Sequence, residues 1–476
     1  MKEQTMKMKI IFLSILLLTG ISVLNAKTYQ VAPLGNDNNP GTETSPWKTI
    51  QKGCDEVLPG DTLLIREGAY RIEREIRPKH SGTSDQWITY LVLPGEIAVI
   101  DAENFIAADN EGTYPSRKEL GSFHLEKVSY TRVVGLYVRN SRSAGFIVRG
   151  PAEHVELINC KSDRSYNSGI GIWYADHVKV LHCDVTRANE PEMRVPGQPM
   201  GSEAPHEAIS VCGAKHFEVA YNHVHQGFKE GIDVKEVSAL GVVHHNHVHD
   251  MPRQGLYVDA WFGLLHDVEF HSNIVHDCEW GFAISVEGKD SELKNIAFHH
   301  NILYNNRASG IIFGVWGHDR PRSGIEIYNN TIYNNGTPGH WAGSTGGIDM
   351  RSHQSTNVSI YRNIIFNNWA FEIGLAFDPA NVNNELKNKD IRIYDNITGH
   401  YKDKKSDWSF FERISIGYLP ENNRVADPLF SYPKKGDFSI PFDSPAAGDP
   451  SMLKDKGETY YYGALKPGEV SWLDMK

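Results

Sequence analysis

The sequence lacks three things, and each absence removes a class of protein. It has no excess of positive charge: 48 Lys and Arg stand against 59 Asp and Glu, a net of −11. Its basic residues are scattered, so it carries no electrostatic footprint for nucleic acid. Past the N-terminus it has no apolar run long enough to span a bilayer, which excludes a transmembrane segment. It has 5 Cys, an odd and small number, which excludes a fully paired disulfide scaffold. Cys160 and Cys183 follow equivalent strand residues on successive repeats and read as stacked buried thiols in preference to a disulfide.

Hydrophobic residues make up 40% of 476, enough for a large ordered core, and 10 Trp with 21 Tyr suit either sugar stacking or a solenoid interior. Residues 1–26 read as a cleavable signal: Lys7 and Lys9, the apolar run Ile10–Leu18, then a small-residue exit at Ala26 with no Cys after it. The expectation is a periplasmic or secreted protein without a lipid anchor.

The organising stretch is 208–287, which repeats one pattern four times: AISVCG from Ala208, GIDVKE from Gly231, GLYVDA from Gly255 and AISVEG from Ala283. An Asn precedes a short apolar run at Asn222, Asn246, Asn273, Asn301, Asn330, Asn363 and Asn396. Short strands with a period in the twenties and Asn at a fixed place describe an all-β solenoid, a parallel β-helix. The inward pairs are Phe146/Val148, Ile170/Ile172, Ile209/Val211, Ile232/Val234, Leu256/Val258, Ile284/Val286, Ile311/Phe313 and Ile348/Met350. They recur at intervals of 24, 39, 23, 24, 28, 27 and 37 residues. The two long intervals hold insertions, 188–206 and 317–345, and long insertions on a rigid scaffold tend to carry function. The Asn ladder reads as structural, because Asn tolerates left-handed backbone and its amide bonds to the next coil.

Residues 27–125 form an N-terminal cap with the first coils. A strand at 28–31 leads to a helical stretch at 47–57 with Ile50, Cys54 and Val57 on one face, covering the open end of the solenoid. Coils run over 126–400, and 401–476 reads as a C-terminal capping segment. The cap sequence YQVAPLGNDNNPGTETSPWKTIQKG, followed by LPGDTLLIREGAY, resembles the opening of many secreted bacterial right-handed parallel β-helix proteins. These form the pectate-lyase-like superfamily of carbohydrate-active enzymes, which includes glycosidases and polysaccharide lyases. The ending DPLFSYPKKGDFSIPFDSPAAGDP with YYYGAL resembles the close of such chains. The resemblance implies a right-handed helix and carries no catalytic residue across.

Side chains alternate across a strand, so residues flanking the inward pairs face outward. Stacking the coils places Glu207, Glu230, Gln254 and Phe282 in one outward column. A second holds Ser210, Asp233, Tyr257 and Ser285, and a third Trp173, Cys212, Lys235, Asp259 and Glu287. Coils lie about 4.8 Å apart, so Asp259 and Glu287 are expected roughly 5 Å apart at the backbone, and Asp233 and Asp259 roughly 8 Å on the diagonal. The first separation suits a retaining carboxyl pair and the second an inverting pair. His225, His249 and His276 stack and pass into Tyr304, Tyr333 and Phe366, which reads as an aromatic column along a coil corner.

Three functions follow. The first is a glycoside hydrolase acting through Asp233, Asp259 and Glu287, with Lys235 and Glu230 beside them. Glu207, His206, Tyr257, Trp261, Trp173, Trp316 and Arg253 would then hold a polysaccharide or oligosaccharide, with no cofactor required. The second is a polysaccharide lyase with Lys235 as base and Ca²⁺ on Glu207, Glu230 and Asp233. The third is a non-catalytic carbohydrate-binding β-helix. Acidic coils with few Arg or Lys for a polyanion favour the hydrolase.

Overall fold

The computed structural model describes residues 26–105, 120–194, 204–343, 345–374, 388–400, 418–448 and 460–473. Residues 1–25, nearly all of the expected signal stretch 1–26, and the middle of the first insertion, 195–203, lie outside the described residues. Among the described residues, no helix is long and apolar enough to cross a membrane.

Among the described residues the coils build three parallel sheets of 14, 13 and 10 strands, the third starting later than the other two, and the order within every sheet follows the chain. One coil shows the plan: Ala239–His244 in the first sheet, His247–His249 in the second, Gln254–Ala260 in the third, then Leu264–His271 back in the first. The structure is the parallel β-helix expected from the repeats, with the right hand that the resemblance implies. Its interior is a continuous apolar column in which the inward residues of the third sheet, Ile232, Val234, Leu256, Val258, Phe282 and Ile284 among them, are fully buried.

The Asn ladder occupies the corner between the first and second sheets. Asn301 donates from Nδ2 to Asn330 Oδ1 at 3.0 Å and to the Phe270 carbonyl at 3.0 Å, and its own Oδ1 accepts from Asn273. The left-handed residue of each turn is the one before the Asn, such as Tyr221, His245, Ser272 and His300. The ladder Asn is therefore needed for its amide, which satisfies buried turn groups that no strand pairs. A second ladder at the next corner, Asn306, Asn335 and Asn368, repeats the device.

At the N-terminal end a helix, Ile50–Glu56, starts from Thr49, whose side chain accepts from the Lys52 amide. It buries Ile50 and Cys54 within the main core. The described part of the C-terminal segment runs back along the outside of the coil. Phe430, Phe438 and Ile440 pack on outward Tyr333 and Phe366 of the second sheet. Trp472 donates to the Ser272 carbonyl at 2.8 Å. All five cysteines are free and buried, Cys160 and Cys183 included.

Candidate active site

Outward residues of the third sheet build the floor of a cleft of about 700 Å³. Register decides which of them meet. Ser210 pairs with Asp233 and Asp233 with Tyr257, while Cys212, Lys235 and Asp259 are successive in the neighbouring column. The next coil departs from the sequence reading, because Asp259 pairs with Ser285 and Leu256 with Phe282. Phe282 is therefore an inward residue, fully buried and stacked on Phe298 at 4.1 Å, and Trp280 follows Gln254 on the outer side. Glu287 lies past the end of its strand. FAISV offers three alternating apolar residues, and a two-residue slip leaves inside and outside unchanged, so the pattern alone does not fix the register.

Glu287 reaches the cleft all the same. Its amide donates to Asp259 Oδ1 at 3.3 Å, and its carboxylate accepts a short hydrogen bond from the Tyr257 hydroxyl. Asp259 accepts a second, short bond from the Trp261 indole. Asp233 and Asp259 are only 2% and 4% exposed, which sets their electrostatics. Burial, then the Glu207 carboxylate, pushes Asp233 well above the usual carboxylate range. Burial and the charge of Glu287 do the same to Asp259. Glu287 is raised by burial too, while the Tyr257 hydroxyl pulls it back.

Glu207 behaves oppositely. Burial works to raise it, but Lys235, at 2.9 Å, and Lys229 bring it down to about 2. Lys235 in turn is held above the ordinary lysine value by Glu207 and Asp233, against the effect of burial. Glu230 pairs with Arg253 at 3.0 Å and lies 3.6 Å from Lys229. Three cations thus answer Glu207, Glu230 and Asp233.

These three acids do not fit a calcium ion in this arrangement. Among the described residues, they are not one of the groups whose ligand atoms lie within 4.8 Å of one another. Glu207 spends its oxygens on Lys235 and on Ser210 Oγ, at 2.9 Å each.

The rim is aromatic. Trp280 meets Trp316 and Trp341 edge-on, at 5.8 and 5.5 Å, and Tyr257 meets Trp316 at 5.6 Å. The second insertion is tied down by Glu279, which accepts from Trp341 Nε1 at 2.7 Å and Arg307 Nε at 2.8 Å and lies 2.9 Å from His340 Nε2. Trp341 nonetheless remains 75% exposed, an apolar ring face presented to whatever enters.

Of the residues singled out from sequence, Glu207, Glu230, Asp233, Lys235, Arg253, Tyr257, Asp259, Trp261, Glu287 and Trp316 line this cleft. His206 and Trp173 do not; their rings pack together at 4.6 Å, with Trp173 buried against Ile147 and Cys212. Lys229, Glu279 and Trp280 are cleft residues that sequence reasoning missed. The correct register would have yielded Trp280. Glu230 Oε2, Asp233 Oδ1, Gln254 Oε1 and Trp280 Nε1 are buried without a hydrogen bond. Four such atoms around one cleft are what a bound polar ligand would satisfy.

Comparison with known proteins agrees with this architecture. A Pel9A-like right-handed β-helix region matches residues 29–204, and a right-handed β-helix region matches residues 120–291. The uncharacterized Bacillus subtilis protein YwoF is 25% identical over 479 residues, 87% of this chain and 91% of YwoF. The crystal structure of pectate lyase Pel9A aligns with a TM-score of 0.51 and 14% identity, covering 93% of this chain and 96% of that one. A lacto-N-biosidase from Eubacterium ramulus aligns at 0.52 and 13%, covering 84% and 67%. Identity this low attests the fold alone. The matched regions, the coil architecture and the fold neighbours agree that the chain is a right-handed parallel β-helix protein, similar in fold to pectate lyase Pel9A.

Proposed function

We propose that this chain is a glycoside hydrolase acting on a neutral polysaccharide or oligosaccharide, with Asp259 as general acid and Glu287 as its ionised partner. The observation that carries the reading is the Asp259–Glu287 pair, two neighbouring carboxyls in a buried, aromatic-rimmed cleft, both raised above their usual range. Like charges so placed cannot both ionise easily. Asp259, more deeply buried and facing Glu287, keeps its proton for a leaving-group oxygen. Glu287, supported by the Tyr257 hydroxyl, loses its proton first and serves as base or nucleophile. Asp233, also raised, stands beside them with a free oxygen for a sugar hydroxyl. Tyr257, Trp261, Trp316 and Trp341 offer ring faces to the apolar sides of sugars.

Pectate lyase and lacto-N-biosidase share this fold, so the fold does not choose between elimination and hydrolysis. Lys235 weighs against elimination. A lysine base needs a lowered pKa, and here Glu207 raises it. The test is to incubate the protein with neutral and uronate glycans, with calcium or with chelator. New reducing ends without ultraviolet absorbance, unaffected by chelator, are expected. Absorbing unsaturated products that vanish with chelator would overturn the reading in favour of a lyase.

Lys235 also sets the working pH. Its charge lowers Asp233, Asp259 and Glu287 together. Lys235→Gln should therefore move both limbs of the pH–rate profile upward, by about one unit or more, the usual effect of removing a close opposite charge. An unshifted profile with reduced kcat would give Lys235 a different role.

A further inference from the structure

The second sheet carries an outward patch of imidazoles on the coils that also form the cleft. Each HVH strand exposes both of its histidines: His223 pairs with His247, and His225 with His249 and then His276. The column seen in sequence is therefore double. Between its two halves, His223 Nε2 lies 2.9 Å from His249 Nε2, and His247 Nε2 lies 2.9 Å from His276 Nε2.

Those contacts hold a charge problem. His249 Nδ1 is 2.8 Å from Asp250 Oδ2, and His223 Nδ1 is 3.3 Å from Asp184 Oδ2. A carboxylate thus stands behind each ring while the two Nε2 atoms face each other, and a cation between them would satisfy both. The candidates are an extra proton and a metal ion. A carboxylate on the far nitrogen is also the arrangement that orients metal-binding histidines.

We propose that His223, His249 and His225 form a binding site for a late first-row divalent metal, of the copper(II) or nickel(II) class. The ligand atoms of these three residues all lie within 4.8 Å of one another. At metal–nitrogen lengths near 2.0 Å, a 2.9 Å nitrogen separation subtends about 90° at the ion, the cis angle of a tetragonal centre rather than the wider tetrahedral angle. The all-nitrogen donor set suits copper(II), which heads the affinity order for such ligands. Asp184 and Asp250 supply the compensating negative charge from behind. The His223 side chain is 42% exposed, which leaves the ion a path from solvent. All five thiols are buried and offer no competing surface ligand.

The test is titration of the chelator-treated protein with copper(II) chloride, followed by visible absorption and by electron paramagnetic resonance for nitrogen splitting. One tight equivalent with several nitrogen ligands is expected at micromolar protein. His223→Asn and His249→Asn should each remove it. Asp250→Asn, an exposed change that spares the ligands, should weaken it by about 10- to 100-fold. His244→Asn, in the separate group of His244, His245 and His271, should leave it unchanged. Absence of tight copper binding, or binding that survives the His223→Asn/His249→Asn double change, would overturn the site. It would then assign the shared cation to a proton.

Discussion

Asp259→Asn is expected to lower kcat on the cleaved glycan by about 10²- to 10⁴-fold, the usual worth of a positioned general acid. Glu287→Gln should produce a loss of similar size. The two changes together should cost little more than either alone, because the residues act as one unit. KM should move little, since neither carboxyl is an aromatic contact. Stability provides the control. A carboxyl raised in the folded state contributes stability at low pH that is lost as the pH climbs through its folded value. Asn, which never ionises, escapes that loss. The Asp259→Asn protein should therefore match the parent in acid and become progressively more stable than it with rising pH. An inactive variant that melts earlier than the parent at every pH would make Asp259 a folding residue and sink its assignment as the acid. If instead Asp233→Asn alone abolished turnover while Asp259→Asn did not, the acid would be Asp233. The working pair would then be a diagonal one.

How much of this was legible from sequence follows from what each signal measures. The solenoid was legible because two independent periodicities, the bracketed aliphatic pairs and the Asn ladder, agreed over many coils. The cleft floor as far as Asp259 was legible too, since 23- and 24-residue intervals leave no freedom of register there. Register is ambiguous where the chain offers more apolar residues than one strand position needs, at Phe282, Ile284 and Val286. Column stacking points to Glu287 by the wrong route, because the residue arrives by side-chain reach beyond the strand end. The first histidine of each HVH passes into Ile274 and Ile302, so the sequence shows one long aromatic column where the fold has two short histidine columns. Glu279 had no sequence signal, because its partners His340 and Trp341 lie 61 and 62 residues away in an insertion without repeat.

Arg322, unlike Arg253, is not among the residues that line the cleft. In the fold its side chain is fully buried, and it connects the first sheet to a third-sheet strand of the cleft. Its Nη1 donates to the carbonyl of Ile284 at 2.8 Å and to that of Gly314 at 3.0 Å, and Nη2 lies 3.4 Å from Asp319 Oδ1. Ile284 precedes Ser285, the residue paired with Asp259, so the guanidinium braces the backbone under the proposed acid. Asp319 is also held by Ser352 Oγ at 2.7 Å and by a short bond from the His353 amide. Burial lowers the Arg322 pKa, opposed by Asp319.

Arg322→Met should cost about 3–5 kcal/mol in chemical unfolding, because it strands the Asp319 charge in a dry corner. Activity should fall with it, as the Ile284–Gly314 backbone loosens and hydrogen exchange there quickens. Adding Asp319→Asn to Arg322→Met removes the stranded charge and should restore more than half of the lost stability. The activity should stay low, because the Gly314 carbonyl has lost its Arg322 donor and the Ile284 carbonyl keeps only the Gly314 amide. A double variant no more stable than Arg322→Met alone would assign the loss to the bonds with Ile284 and Gly314. A double variant restored in both stability and turnover would show that the brace is not needed by the acid at all.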